Sequence, residues 1–309
     1  MRPLLVVLGA LALVGNAVSN WQAVQPASEI FANPQAPALA EAACAGDTAQ
    51  VERLIADGAP VDEAGQYGVT PLIWALTCDG IELPSDLSNR IAATGRVPAI
   101  KPVRPGYLNA LAVLLQAGAD PNRLVDGAFG PVYPGTRNPV LDGYSPLLIA
   151  AEFRQAPVLR ALLAHGGEPN ARARVREGFD DGSTALSVAY ARGSWLAMSK
   201  DLAPFDDRQF ENFFVLLDAG ADPAQDIGNG HNVLEHAAMG RPGIVLIVLR
   251  KYRYTGNFDV ITYFAMNRIE MKNDDGKDSR ELLDFLRTEK GVDIDAAWSA
   301  FRKSRSRLR

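Results

Sequence analysis

The chain has 309 residues, of which 48% are hydrophobic and 22% are charged, and its formal net charge is -5 at pH 7. A chain of this length and hydrophobicity can bury a continuous core, which excludes a disordered protein. The mildly acidic balance, without a basic face before the C-terminus, argues against nucleic acid as a partner. Strand-like alternation of apolar and polar residues is scarce, so we expect an all-α fold with short turns.

The N-terminus has the pattern of an export signal. Arg2 precedes an apolar run from Leu4 to Val14, and residues 17–19 (AVS) offer a signal peptidase small side chains. The run is shorter than the ~20 apolar residues that span a bilayer. We therefore expect a cleaved signal peptide at 1–19, a periplasmic location and no stable membrane insertion of the mature protein. The alternative is that this segment remains as an uncleaved inner-membrane anchor. Residues 20–36, which follow it, are expected to be a linker.

A helix-start pattern recurs along the chain. A capping residue is followed by an apolar residue or Pro, then by Leu, and by Ala three positions later, in TPLIWA (70–75), SPLLIA (145–150), TALSVA (184–189) and NVLEHA (232–237). Ser, Thr or Asn before the first turn, with Pro at the first helical position, marks a helix N-terminus.

A helix-stop pattern follows each start. An apolar helical ending runs into Gly and then a turn, in RLIADGAPVDEA (53–64), VLLQAGADPNRL (113–124), ALLAHGGEPNAR (161–172) and VLLDAGADPAQD (215–226). Glycine ends a helix in the left-handed conformation at least steric cost, and the residues after it suit a tight turn.

These two patterns, repeated in order over residues 36–257, resemble the ankyrin-repeat family. The resemblance implies an all-α ankyrin-repeat solenoid of about five to six helix-turn-helix units, with the repeats at 37–257. Residues 258–309 are expected to be a degenerate repeat and a helical C-terminal cap. The family's usual His after the motif Leu is replaced throughout, so we expect stability to depend more on apolar stacking.

Spacing shows where the units carry insertions. The motif Leu and motif Gly are 19 residues apart in the first and third units, but 46 apart in the second and 34 in the fourth. The turns before the third and fourth units, called fingers in this fold, are also enlarged. A fifth unit starts at Leu234, and Arg253 stands where its Gly is expected.

The two cysteines, Cys44 and Cys78, fall near the ends of the first two leading helices. Neighbouring helix axes lie about 8 to 10 Å apart, whereas a disulfide needs Cα atoms within about 7 Å. A disulfide at converging helix ends and two small buried thiols therefore both remain open.

Residues for catalysis are hard to find. The sequence lacks nucleophile-elbow, zinc-protease and phosphate-loop motifs, so we expect no enzyme activity, no metal and no cofactor. His231, Glu235 and His236 are interpreted as turn-capping or partly buried structural residues rather than metal ligands. A competing hypothesis places an enzyme site on the insertion at 81–105, which carries charged residues but no His.

The binding surface is expected on the fingers and leading helices, because the resemblance assigns partner contacts to these elements. Aromatic and arginine side chains are frequent at binding hot spots. The candidates are Trp74, Phe129, Tyr133, Arg137, Arg172, Arg174, Arg176 and Phe179. For each aromatic residue the alternative is that it pins its own loop or packs in the core.

The expected function is protein binding without catalysis. One reading is a periplasmic immunity protein that neutralises a secreted antibacterial effector; the other is an accessory or scaffold protein for an envelope enzyme, such as an oxidative-stress catalase. Long, unevenly enlarged fingers indicate one dedicated partner, which favours the immunity protein.

Overall fold

The structure is a computed structural model, and it describes residues 21–22, 24–82, 103–130, 141–174, 182–196, 210–227, 230–271 and 276–306. Fourteen α-helices account for most of these residues. Two short strands, β1 (Trp21–Gln22) and β2 (Ile81–Glu82), pair antiparallel near the N-terminal end. The fold is therefore all-α, as expected.

The helices form six consecutive pairs, here called units 1 to 6, between two additional helices. The short helix α1 (Ala27–Ile30) precedes the pairs, and α14 (Ile294–Ser306) follows them. The leading helices of the six units are α2 (Gln35–Ala45), α4 (Pro71–Thr77), α6 (Pro146–Phe153), α8 (Ala185–Leu196), α10 (Val233–Gly240) and α12 (Asp259–Met271). The second helices are α3 (Thr48–Ala56), α5 (Tyr107–Gln116), α7 (Ala156–Ala164), α9 (Glu211–Asp218), α11 (Pro242–Lys251) and α13 (Lys277–Lys290).

The leading helices of units 2 to 5 begin where the sequence predicts, and each is capped by a side chain. The hydroxyl oxygens of Thr70 and Ser145 accept hydrogen bonds from backbone N–H groups three residues later, both at 3.3 Å. Thr184 accepts from the N–H of Ser187 at 3.1 Å, and Asn232 caps α10 in a capping box with Glu235. These bonds satisfy N–H groups that have no partner inside the helix.

The helix-stop pattern also has its predicted structure. Its four glycines have positive φ angles: 88° at Gly58, 103° at Gly118, 89° at Gly166 and 91° at Gly220. A Cβ atom at any of them would meet nothing within 4 Å. Glycine is needed here for its backbone conformation and not for lack of space.

The units stack in two layers. Each leading helix contacts the leading helix of the next unit, from α2 to α12, and α3, α5, α7 and α9 follow one another in the same way. Their apolar side chains join in one core that runs from α1 to α14. Each unit buries its apolar surface against its neighbours, which is the arrangement of a solenoid.

A row of polar bonds joins the turns after the second helices. The Asn122 side chain donates to the Gly166 carbonyl at 2.9 Å and accepts from the Glu168 N–H at 2.8 Å. One unit further on, Asn170 donates to the Gly220 carbonyl at 3.3 Å and accepts from the Asp222 N–H at 2.8 Å. The last residue of the turns at 118–122 (GADPN) and 166–170 (GGEPN) thus binds the following unit.

The asparagine row stops after unit 4, where Ala224 takes the position of Asn122. Unit 5 is closed differently: Asn232 donates to the Tyr254 hydroxyl at 3.0 Å, and that hydroxyl donates to the Asn257 carbonyl at 3.2 Å. Unit 6 again has a glycine after its second helix: Gly291, the residue that follows α13, has a φ of 68°.

The segment expected to be a linker is part of the fold from Val24 onward. Ala27, Ile30 and Phe31 are buried, and α1 packs on α2. The apolar side chains of this segment cover the end of the core at unit 1. The segment is therefore packed against the solenoid and is not an extended linker. No helix in the described part of the chain is long and apolar enough to cross a membrane.

Candidate partner-binding face

The side of the leading helices that the second helices leave uncovered is here called the leading-helix face. The residue two positions after the motif Leu, or after Ile261 in unit 6, marks this face in every unit. The six residues are Glu41, Trp74, Ile149, Val188, His236 and Tyr263. Their exposure differs along the solenoid, so the face is open in some units and covered in others.

The face is covered in the middle of the solenoid. Every residue from 141 to 151 is buried, so α6 has no exposed side chain over its first six residues. Ile149 is 0% exposed and Val188 is 6% exposed. The leading-helix face of units 3 and 4 is therefore not available to a partner in this structure.

The chain's own N-terminal segment covers the face of unit 2. Residues 24–31, here called the strap, pass over Trp74, whose indole N–H donates to the Gln25 carbonyl at 2.9 Å. The Gln25 side chain donates to the Ala128 carbonyl at 3.0 Å and accepts from the Gly130 N–H at 3.1 Å. The strap thereby ties α4 to the finger of unit 3, at the position where a partner was expected.

The strap and the finger of unit 2 approach too closely for any side chain at Gly65. A Cβ atom there would lie 2.6 Å from the Ile30 carbonyl oxygen and 2.9 Å from the Ile30 and Phe31 side chains. The second half of the strap is therefore packed into the hydrophobic core, to which Ala27, Ile30 and Phe31 belong.

The predicted binding residues differ in how far the structure exposes them. Phe129 is 0% exposed and belongs to the core, so its ring offers no contact surface and acts within its own loop. Arg172 is half-buried and donates to the Gly182 carbonyl at 3.3 Å, whereas Arg174 is exposed. The remaining candidates Tyr133, Arg137, Arg176 and Phe179 lie outside the described residues.

The open part of the face lies in units 5 and 6. Among the described residues, the exposed large apolar side chains are Met239, Tyr263 and Met271, at 43%, 42% and 54% exposure. Met239 shares one side of α10 with half-buried His236, and Tyr263 lies on neighbouring α12. Exposed apolar groups on adjacent elements are typical of interaction sites.

The prediction from the sequence covered the fingers and the leading helices, but Trp74 was its only candidate on a leading helix, so the exposed residues of units 5 and 6 were not named. The available signal was the repeat register itself: His236, three positions before Met239, occupies the same position as Trp74. Reading each leading helix in that register would have found apolar residues on the outward side of the last units.

The histidines of this region have structural partners. His231 Nδ1 lies 3.0 Å from Glu235 Oε2, which also accepts from the Asn232 backbone N–H at 3.1 Å. Burial lowers the pKa of His236, the nearby His231 lowers it further and Glu235 opposes the shift. Glu235 thus serves the helix cap, which is the structural role expected from the sequence.

A second cluster lies at the edge where the leading helices of units 1 to 3 end. Cys44 and Cys78 are joined by a disulfide with a Cα–Cα distance of 6.3 Å, so the two sulfurs are bonded to each other. Arg104 forms an ion pair with Asp79 and donates to Cys44 Sγ at 3.3 Å and to the Cys44 carbonyl at 3.0 Å.

Two buried polar side chains extend this edge cluster. The Tyr107 hydroxyl donates to the Ala75 carbonyl at 2.8 Å, and Arg154 donates to the Leu76 carbonyl at 2.5 Å and the Gly80 carbonyl at 3.3 Å. Burial raises the pKa of Tyr107 to about 12. These bonds satisfy the carbonyls at the end of α4, so the cluster fixes the chain just before the 81–105 insertion.

The sequence comparison agrees with this architecture. The family model of the ankyrin repeat matches residues 142–174, which are the finger end and both helices of unit 3. Unit 3 is one of the two units with uninterrupted spacing. No curated protein matches the chain significantly. The chain thus carries an ankyrin repeat and folds as an ankyrin-like solenoid, which is a module for protein–protein interaction.

Proposed function

We propose that the protein is exported and holds one secreted protein partner against the open leading-helix face of units 5 and 6. The observation that carries this proposal is the exposure of Met239, Tyr263 and Met271 on two adjacent leading helices, while the leading-helix face is covered in units 2 to 4. A partner that buries these side chains removes apolar surface from water, which is the main driving force of association.

The finer proposal is an immunity protein that neutralises a secreted antibacterial effector. The unevenly enlarged fingers before units 3 and 4 support one dedicated partner and not a range of partners. A standard interface needs about 800 Å² on each side, which two units and their fingers can supply. Binding by the solenoid would inhibit an effector by covering its active site.

Export is supported by two independent features. The N-terminus has a signal-peptide pattern, and a disulfide such as Cys44–Cys78 persists in an oxidising compartment such as the periplasm. N-terminal sequencing of the protein purified from the envelope of the source organism tests this part. We expect the mature chain to begin at Asn20, and an intact Met1 in the cytoplasmic fraction would contradict export.

The immunity role is tested with the protein that the mature chain captures from envelope extract. We expect that protein, sent alone to the periplasm of a test bacterium, to stop growth, and co-expression of the full chain to restore growth. A captured protein that is harmless alone and gains enzyme activity in the complex would instead establish the accessory role.

Substitutions at chosen positions let the growth assay test whether the open face of units 5 and 6 binds the partner. Met239→Ser with Tyr263→Ser should abolish the rescue, because both side chains lie on the open face. The matched pair Arg172→Ala with Arg174→Ala alters the finger of unit 4 and should leave the rescue intact. Loss of rescue with the finger pair alone would place the interface on the fingers.

A further inference from the structure

The two cysteine residues of the disulfide differ in exposure. Cys44 is 9% exposed, whereas Cys78, the first residue after α4, is partly exposed. Thiol–disulfide exchange begins when an external thiolate reaches one of the two sulfurs. Access therefore favours attack on Cys78, with Cys44 as the sulfur that leaves.

The two sulfurs also differ in the charge around them. The Arg104 guanidinium lies 3.3 Å from Cys44 Sγ, and a cation at this distance stabilises a thiolate. Cys78 Sγ lies 3.2 Å from the Ala75 carbonyl oxygen, which can accept a hydrogen bond from a protonated thiol but repels a thiolate. After reduction, Cys44 would carry the negative charge and Cys78 the proton.

Accessibility and charge point to the same direction of reaction. We propose that Cys44–Cys78 is a thiol–disulfide exchange site, at which a dithiol reductant attacks Cys78 and Arg104 stabilises the departing Cys44 thiolate. Asp79 moderates this effect, because its carboxylate pairs with the same guanidinium. The site is separate from the proposed partner-binding face, so either proposal can fail without the other.

The exchange proceeds in two steps and transfers two electrons. A thiolate of the reductant forms a bond to Cys78 Sγ, the bond between the cysteine sulfurs breaks, and its electron pair leaves with Cys44 Sγ. The second thiol of the reductant, once deprotonated, attacks the reductant sulfur of the mixed disulfide. Cys78 is released and takes up a proton from solvent, and the dithiol becomes a cyclic disulfide.

The opened bond lies at a junction that several elements share. Arg104 lies near the end of the 81–105 insertion. Gly106 touches Gly46 at the turn of unit 1 so closely that a Cβ on Gly106 would lie 2.3 Å from the Gly46 carbonyl oxygen. Reduction turns the contact between Arg104 and Cys44 from a bond to a neutral sulfur into an ion pair. The junction can therefore stay closed around a reduced pair.

The direction of attack can be measured on the unaltered protein with glutathione, a monothiol that leaves the mixed disulfide in place. After a short exposure, free thiols are blocked with iodoacetamide and a tryptic digest is analysed by mass spectrometry; cleavage after Arg53 separates the two cysteines. We expect glutathione on Cys78 and the alkyl group on Cys44. Glutathione on Cys44 would overturn the proposal.

The role of Arg104 is measured by the rate of reduction with dithiothreitol at pH 7. Arg104→Met should slow reduction about three- to tenfold, since a poorer leaving thiolate departs more slowly. Arg104→Lys should lie nearer the original rate, and Asp79→Asn should be faster because Arg104 loses its counter-charge. The control Arg123→Met removes an arginine in the finger of unit 3 that pairs with Asp62 in the finger of unit 2, and it should change nothing.

Asp79→Asn keeps the proposal testable even if Arg104→Met disturbs the fold. A slower rate in Asp79→Asn, or equal rates in all four variants, would show that the arginine does not act on the leaving sulfur.

Discussion

Single polar side chains determine how firmly one unit is joined to the next. Asn122 provides both a donor and an acceptor to unit 3, at 2.9 and 2.8 Å. The hydrogen bonds run between backbone groups of one unit and a side chain of another, so they oppose sliding between the units. Apolar stacking alone does not have this directional character.

Asn122→Ala should therefore lower the free energy of unfolding by about 1 to 2 kcal/mol, because two hydrogen bonds are lost at a partly exposed site. Urea denaturation monitored by circular dichroism measures the change. Asn109→Ala is the matched control, since Asn109 is exposed on α5 and should change stability by less than about 0.5 kcal/mol. Equal effects of the two substitutions would show that the row of bonds does not join the units.

The pKa of His236 makes stability depend on pH. Burial lowers this pKa in the folded protein, whereas the unfolded chain takes up a proton near pH 6.5. The unfolded state thus binds more protons below about pH 6.5, and folding stability should fall as the pH drops through that value. Urea midpoints at pH 7.5 and 5.5 should differ less in His236→Gln than in the original protein. An unchanged difference would contradict this assignment.

At the residue scale, short-range chemistry was predictable and long-range contact was not. Thr70 and Gly118 act locally, as a helix cap and a helix stop, and their roles follow from the bonds that a helix end requires. The disulfide stayed undecided because it depends on the approach of two helix ends. Phe129 was offered as a binding residue because loop composition does not show which aromatic ring turns into the core.

The strap is the element that most changes the expected binding surface. It joins Trp74 to the finger of unit 3 through Gln25, and its second half packs into the core. The segment NWQAVQPASEIFANPQA, which follows the signal-peptide pattern and contains Pro and Ala, suggests a linker from its sequence alone. The burial of its apolar residues depends on the open end of unit 1, which has no preceding unit to cover it.

Trp74→Phe tests whether the hydrogen bond from Trp74 holds the strap in place. The ring is kept while the indole N–H donor to Gln25 is lost, so the first half of the strap should open more often. Hydrogen exchange of a peptide covering residues 21–31 should become about fivefold faster, corresponding to about 1 kcal/mol for one hydrogen bond. Trp298→Phe in α14 is the control and should leave this peptide unchanged. Unchanged exchange in both variants would show that Trp74 does not hold the strap.

At the scale of the whole molecule, the solenoid divides into a covered part and an open part. Units 2 to 4 have their leading-helix face occupied by the strap or buried, whereas units 5 and 6 expose Met239, Tyr263 and Met271. The solenoid fold was predictable because its motifs repeat in register. The cover of unit 2 was not predictable, because the strap lies before the first repeat and its contacts with Trp74 and Ala128 lie far away in the sequence.

Photo-crosslinking tests the central claim most directly. A photoreactive phenylalanine derivative replaces Tyr263 on the open face or, in a matched protein, Trp74 beneath the strap, and each protein is irradiated in envelope extract of the source organism. We predict a discrete crosslinked partner from position 263 that disappears when Met239→Ser is added, and none from position 74. A partner crosslinked from position 74 but not from position 263 would contradict the account and place binding beneath the strap.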